Sequence, residues 1–253
     1  SKEEMDSYER EIVHIPTCLG AIVFTYNLPI EGDIKLSKKA LIGILTGEIK
    51  SWNSKEIKSE NPSISLPDKE IILIHRSDNS GTTYILSRYL SEIDLTWRNQ
   101  YGFGKYINWP AGIGVKGNEN IAKYVSRITG SIGYISFTYA KKEKLPVARI
   151  ENENGKYILP TVESISKAAE IDIPEDARIH LLATDNKEAY PISTFSYVIF
   201  SRNKKGERIG PKYKAGKKFF KWIITEGQKY NKTLFYAPVP PNVREIIFNL
   251  LDN

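Results

Sequence analysis

The apolar positions come in short runs whose period changes along the chain. "AIVFTYNLP", residues 21–29, is continuous in β-branched and aromatic residues and stops at Pro29, which predicts a buried strand. "LSKKALIGILTGEI" sets Ala40, Leu41, Ile44 and Leu45 at helical spacing, with Ser37 placed to cap the helix and Gly47 to end it. "EIILIH", 70–75, predicts a second buried strand, and "TTYILSRYLSEI" gathers Ile85, Leu86, Tyr89 and Leu90 on one helical face. The glycine-rich "YGFGKYINWPAGIGVKGN", 101–118, predicts a loop. "NENIAKYVSRITG" predicts a helix ending on Gly130, and "SIGYISF" a strand.

Further on, "VARIENENGKYILP" predicts a hairpin turning at Asn154-Gly155. A small amphipathic helix, "TVESISKAAE", follows it. "RIHLLAT" and "FSYVIFS" predict strands, and "KKFFKWIITEG" and "NVREIIFNLL" predict closing amphipathic helices. The polar opening, "SKEEMDSYER", suits one or two exposed helical turns. Strands alternate with helices through much of the chain, so the fold class is α/β.

Composition narrows this picture modestly. The 253 residues are 41% hydrophobic and 26% charged, ordinary values for a globular protein. No apolar run reaches the roughly 18 residues that a membrane span needs. Cys18 is the single cysteine, so no intrachain disulfide forms. His14, His75 and His180 are scattered, and no metal site or cofactor motif is expected. The formal charge of +6 favours anionic partners, but the lysines are dispersed, so nucleic acid is not expected. Lys212, Lys214, Lys217, Lys218 and Lys221 suit a solvated helix face. The four tryptophans, Trp52, Trp97, Trp109 and Trp222, suit packing positions.

The chemistry concentrates in "HRSDNSGTT", residues 75–83, between the second strand and its helix. A strand feeding a helix through small residues leaves the first backbone N–H groups of the helix unpartnered, at the positive end of its dipole. Gly81 lets an anion approach its backbone, and Ser80, Thr82 and Thr83 add hydroxyls. Arg76 supplies a planar fork suited to a pair of anionic oxygens, and Asp78 is spaced to hold that fork. The plainer reading is a capped turn with Ser80 or Asp78 as the cap.

Catalytic and nucleotide readings lack their patterns. Ser80 does not sit in GxSxG, and no GxxxxGK[ST] loop occurs. "GIGVKG", 112–117, matches GxGxxG but follows "NWPA" rather than a strand. Lys116 in that loop can steer anions, or the loop is a structural turn. A serine hydrolase or phosphatase using Ser80 is the weaker alternative, since no base is placed beside it.

Five blocks in order resemble the phosphate-binding protein family of bacterial phosphate ABC transporters. They are "GEIKSWN", "NPSISLPDKEI", "HRSDNSGTT", "INWPAGIGVKGNENIAKYV" and "GSIGYISFTYA". The resemblance implies a two-lobed, type II periplasmic-binding-protein fold closing over one phosphate. It implies a lobe at 27–190 and a second, discontinuous lobe from 1–26 and 191–253. It implies Arg76, Ser80, Gly81 and Thr82 as phosphate ligands and Asp78 as the acid pairing with Arg76. Asn79 stands where the family usually has glycine, and asparagine tolerates a left-handed backbone. The resemblance further implies a monomer without catalytic residues, periplasmic or at the cell surface, delivering phosphate to a membrane permease. The family's lipid anchor is expected in a segment not in this sequence. So is an aspartate that accepts from a protonated phosphate oxygen. Without that aspartate, other tetrahedral oxyanions such as sulfate or molybdate, or a phosphate-sensing role, stay open.

Overall fold

The computed structural model describes residues 12–201 and 210–252. The chain opens with β1 (Ile12–Tyr26), β2 (Lys35–Leu36), α1 (Lys38–Thr46) and α2 (Lys55–Glu60). Next come β3 (Ile72–Arg76), α3 (Gly81–Ile93), α4 (Leu95–Gln100), β4 (Ile113–Val115) and α5 (Gly117–Arg127). Then follow β5 (Ser131–Ser136), α6 (Phe137–Lys142), β6 (Arg149–Glu151), β7 (Tyr157–Ile158) and α7 (Val162–Lys167). It closes with β8 (Leu181–Leu182), β9 (Ile192–Ser201), α8 (Pro211–Ile224) and α9 (Pro241–Asp252). The helical turns expected over 1–10 lie outside the described residues.

A mixed six-stranded sheet, ordered β4-β3-β5-β1-β9-β8, organises the molecule, and β2-β6-β7 form a smaller one. β3 runs parallel to β4 and β5, whereas β1 is antiparallel to both β5 and β9. β1 is shared between two partners. Ile12 to Ala21 pair with β9, and Ile22 to Tyr26 pair with β5. The strand expected at 21–29 is therefore the second half of a longer one. Its first half escapes the pattern because Pro16, Thr17, Cys18 and Gly20 interrupt it. The register shift between Pro16 and Cys18 accommodates that proline as an irregularity.

The core is built from the predicted faces. Phe24, Tyr26, Ile74, Leu86, Tyr89, Ile121, Val125 and Tyr134 are buried together. α5 packs so closely on β5 that a Cβ on Gly133 would lie 3.0 Å from both the Ile121 side chain and the Ile74 carbonyl oxygen. α1 forms as the sequence predicts. Ser37 accepts the Ala40 N–H at 3.0 Å, and Gly47 ends the helix at φ 76°.

Four sequence expectations are corrected. The segment 101–118 is not all loop, because β4 adds to the sheet edge alongside β3. Gly112, at φ 98°, brings the chain so close that a Cβ there would stand 2.6 Å from the Leu73 carbonyl oxygen. Only Val115 of the three β4 residues is buried, too short a signal for a period-2 reading. "RIHLLAT" pairs only through Leu181 and Leu182. The β6–β7 hairpin forms with Gly155 at φ 72°, but Asn154 keeps a negative φ. Asn152 closes that turn instead, its side-chain oxygen accepting the N–H groups of Asn154 and Lys156. Finally, Trp52 and Trp97 are core residues, but Trp222 is 45% exposed and stacks on exposed Phe219.

Candidate functional site

β3 delivers Arg76 to the sheet's end, and the turn from Ser77 to Ser80 leads into α3. Ser80 takes an extended backbone (φ −137°, ψ 127°), and its Oγ accepts the Thr83 N–H at 3.2 Å. Its own N–H donates to the Lys105 carbonyl at 2.8 Å, which fastens the turn to the neighbouring loop. The capping role is thus real. It leaves the Ser80 hydroxyl proton free to donate, and the first N–H groups of α3 lie beyond any intrahelical partner. Gly81 is exposed, and a Cβ there would meet nothing within 4 Å. The start of α3 is therefore open to a ligand. Asn79 is not left-handed, so the turn does not draw on the tolerance expected of it.

Arg76 is buried, with 9% of its surface exposed. Its Nε and Nη2 donate to the two carboxylate oxygens of Asp78 at 2.7 and 2.6 Å. Its Nη1 donates to Asn118 Oδ1 at 3.4 Å. Asp78 Oδ1 also accepts the Gly117 N–H, the first of α5, at 3.3 Å. The hydrogen bond from Arg76 is the largest influence on Asp78 and lowers its pKa to about 2. The acid is ionised at every ordinary pH, and the pair is a fixed dipole rather than a proton carrier.

Beneath the turn, the Tyr134 hydroxyl of β5 accepts the Arg76 N–H at 3.1 Å and lies 2.7 Å from Thr83 Oγ1. One buried phenol thereby ties the end of β3 to the first turn of α3. Burial pushes its pKa up to about 12, against the hydrogen bonds from Thr83 and Arg76, so it stays neutral. His75 stacks on Trp109 with ring centroids 5.6 Å apart, and its Nδ1 lies 3.1 Å from the Arg76 carbonyl oxygen. The one side-chain hydrogen bond of Ser80 among the described residues is the cap to the Thr83 N–H, and no histidine bonds it. No group of three or more metal-ligating side chains occurs among them either.

The predicted residues Arg76, Asp78, Ser80, Gly81 and Thr82 form one continuous turn. Sequence reasoning missed Tyr134, Asn118, Gly117 and the Lys105 carbonyl. Tyr134 reads as an ordinary core aromatic of "SIGYISF", and Gly117 and Asn118 lie where the predicted loop meets the helix predicted from "NENIAKYVSRITG". That predicted helix start is the available signal, but nothing in the sequence places it beside Arg76.

The PBP superfamily domain model matches residues 1–226. The phosphate-binding protein PstS of Methanocaldococcus jannaschii is 38% identical, over 95% of this chain and 67% of its own length. That of Haemophilus influenzae is 37% identical, over 93% of this chain and 71% of its own. The chain belongs to the PstS family. This PstS-family chain spans about two thirds of these relatives, and 63% of the Xylella fastidiosa relative, to which it is 36% identical. Solved structures agree on the fold. A high-affinity periplasmic phosphate-binding protein bound with phosphate superposes with a TM-score of 0.78 at 18% identity, over 98% of this chain and 76% of that one. An ABC-type phosphate transport receptor from Vibrio cholerae gives 0.58 at 16% identity, over 94% and 76%. The fold is thus an α/β fold of the PBP superfamily with mixed sheets, and its curated relatives are named phosphate-binding proteins. No helix among the described residues is long and apolar enough to cross a membrane.

Proposed function

We propose that the chain captures inorganic phosphate outside the cytoplasm and delivers it to the membrane permease of an ABC transporter, as a monomer and without chemistry. Arg76, Ser80, Gly81 and Thr82 are the ligands, and Asp78 orients Arg76. A dehydrated oxyanion must regain its hydrogen bonds from fixed donors. This turn supplies helix-start N–H groups, two hydroxyls and a buried guanidinium. The observation that carries the reading is the donor count at Arg76. Of five guanidinium N–H groups, Asp78 takes two and Asn118 one, leaving a pair for two anionic oxygens.

In this reading residues 27–190 form one lobe and 1–26 with 191–253 the other, and the phosphate lies in the cleft between them. The change of partner along β1, from β9 to β5 between Ala21 and Ile22, supports a crossing there. Hinged closure needs only a few such residues to absorb the dihedral change.

One observation favours a second reading, a binder of tetrahedral oxyanions in general, sulfate included. Asp78 is already engaged by Arg76 and Gly117. The turn therefore presents donors and no free carboxylate to accept a ligand proton. Isothermal titration with phosphate and with sulfate, at about pH 5 and about pH 8, separates the two. Phosphate binding with sulfate rejected supports the first. Equal binding of both supports the second. No heat from either anion removes both.

A further inference from the structure

We propose that Asn118 is a positioning residue for Arg76, and that a neutral acceptor at this place fixes which pair of N–H groups meets the anion. The inference rests on the anion reading of the β3–α3 turn. Asp78 holds one edge of the guanidinium through Nε and Nη2. That leaves three N–H groups, two on Nη1 and one on Nη2. Asn118 accepts one from Nη1 at 3.4 Å, the longest of the three contacts. A guanidinium offers no acceptor, so the Asn118 amide must turn its oxygen toward it. What remains is one N–H on each terminal nitrogen, and in this proposal Asn118 takes the Nη1 proton on the Cδ side, so that the two left over face two oxygens of one anion.

The source of this contact is a second helix start. Gly117, at φ 75°, opens α5, and its N–H donates to Asp78 Oδ1 at 3.3 Å. The next residue, Asn118, reaches Arg76. One end of α5 thus grips both members of the ion pair, the acid by a backbone donor and the base by a side-chain acceptor. Charge then limits what can stand at 118. Asp78 already balances Arg76. A second carboxylate would hold the guanidinium more tightly but would repel an anion from the same place.

Phosphate titration, thermal melting and nitrogen-15 NMR of the arginine side chains test this on the intact chain, with Asn118→Ala and Asn118→Asp beside the unmodified protein. For Asn118→Ala we expect an unchanged melting temperature and affinity lower by about threefold to tenfold. The Arg76 Nη1 protons should exchange faster while the Nε proton, held by Asp78, stays slow. For Asn118→Asp we expect slow Nη1 protons and yet weaker binding than in Asn118→Ala, a combination that a purely structural role does not produce. Unchanged affinity and Nη1 exchange in Asn118→Ala would overturn the assignment, as would wild-type binding by Asn118→Asp. If the unmodified protein binds no phosphate, the functional reading fails by itself. The Nη1 contrast in anion-free protein still decides whether Asn118 positions Arg76.

Discussion

Asp78 grips Arg76 side-on, with the Arg76 Nε and Nη2 atoms 2.7 and 2.6 Å from its two carboxylate oxygens. The two residues are neighbours on one turn, so the pair forms with little chain to order. A bidentate contact of this kind fixes the plane of the guanidinium as well as its position. It also offsets the cost of keeping a buried arginine before any anion arrives.

Replacing Arg76 should therefore remove the strongest contact to phosphate. Truncating one partner of a buried charge pair costs about 2–5 kcal/mol, so Arg76→Ala is expected to weaken phosphate binding at least tenfold. Asp78→Ala should weaken it less, because the charge of Arg76 remains while its orientation is lost. Arg76→Lys keeps the charge without the fork and should not restore affinity. Isothermal titration of the three variants checks the order, and an Arg76→Ala protein that binds like the parent would remove Arg76 from the site.

The pH dependence of the pair has a definite sign. Asp78 titrates at about 2 in the folded chain against 3.8 for the free side chain. Its contribution to stability is therefore complete above about pH 4 and drains away as the pH falls toward 2. Urea unfolding of the parent and of Asp78→Asn should show a constant gap from about pH 7 to about pH 5. The gap should narrow below about pH 4 and nearly close near pH 2. A gap that widens toward acid would reverse the assignment.

On the proposed function Ser80 has two separable tasks. Its Oγ caps α3 by accepting from the Thr83 N–H, and in that reading its hydroxyl proton is offered to the anion. Losing an N-cap serine to alanine costs about 1 kcal/mol, and to glycine only a few tenths. Ser80→Ala should melt earlier than Ser80→Gly, while both lose phosphate affinity alike. If affinity instead tracks stability across the two variants, the hydroxyl serves the helix and not the ligand.

The contrast between what the sequence shows and what it hides is physical. The turn from Arg76 to Thr82 is legible because its groups are consecutive, and the local geometry of a strand meeting a helix brings them together. α1 is legible for the same reason, with Ser37 and Gly47 marking its ends. β4 is not, because Ile113 to Val115 owe their strand state to hydrogen bonds with β3 rather than to their own pattern. Asn118 lies 42 residues from Arg76 and Tyr134 lies 58, distances across which one sequence carries no register. The resemblance to a known family supplied phosphate, which no local pattern specifies beyond an anion.

Tyr134 offers the sharpest test of how the site is held. Its hydroxyl accepts the Arg76 backbone N–H and shares a hydrogen bond with Thr83 Oγ1, while its ring packs 5.4 Å from that of Trp109. Tyr134→Phe keeps the ring and removes the oxygen, which leaves the Arg76 N–H without its acceptor inside the core. Such an orphaned buried donor costs about 1–3 kcal/mol. Phosphate binding should also fall, because the arginine and the start of α3 are no longer tied to one atom. Thr83→Val removes the other hydroxyl at nearly constant volume. If the two groups work as a unit, the double variant should lose less stability than the two single losses added together. Denaturant unfolding of the four proteins gives the coupling directly, and strict additivity would show that Tyr134 and Thr83 support the turn independently.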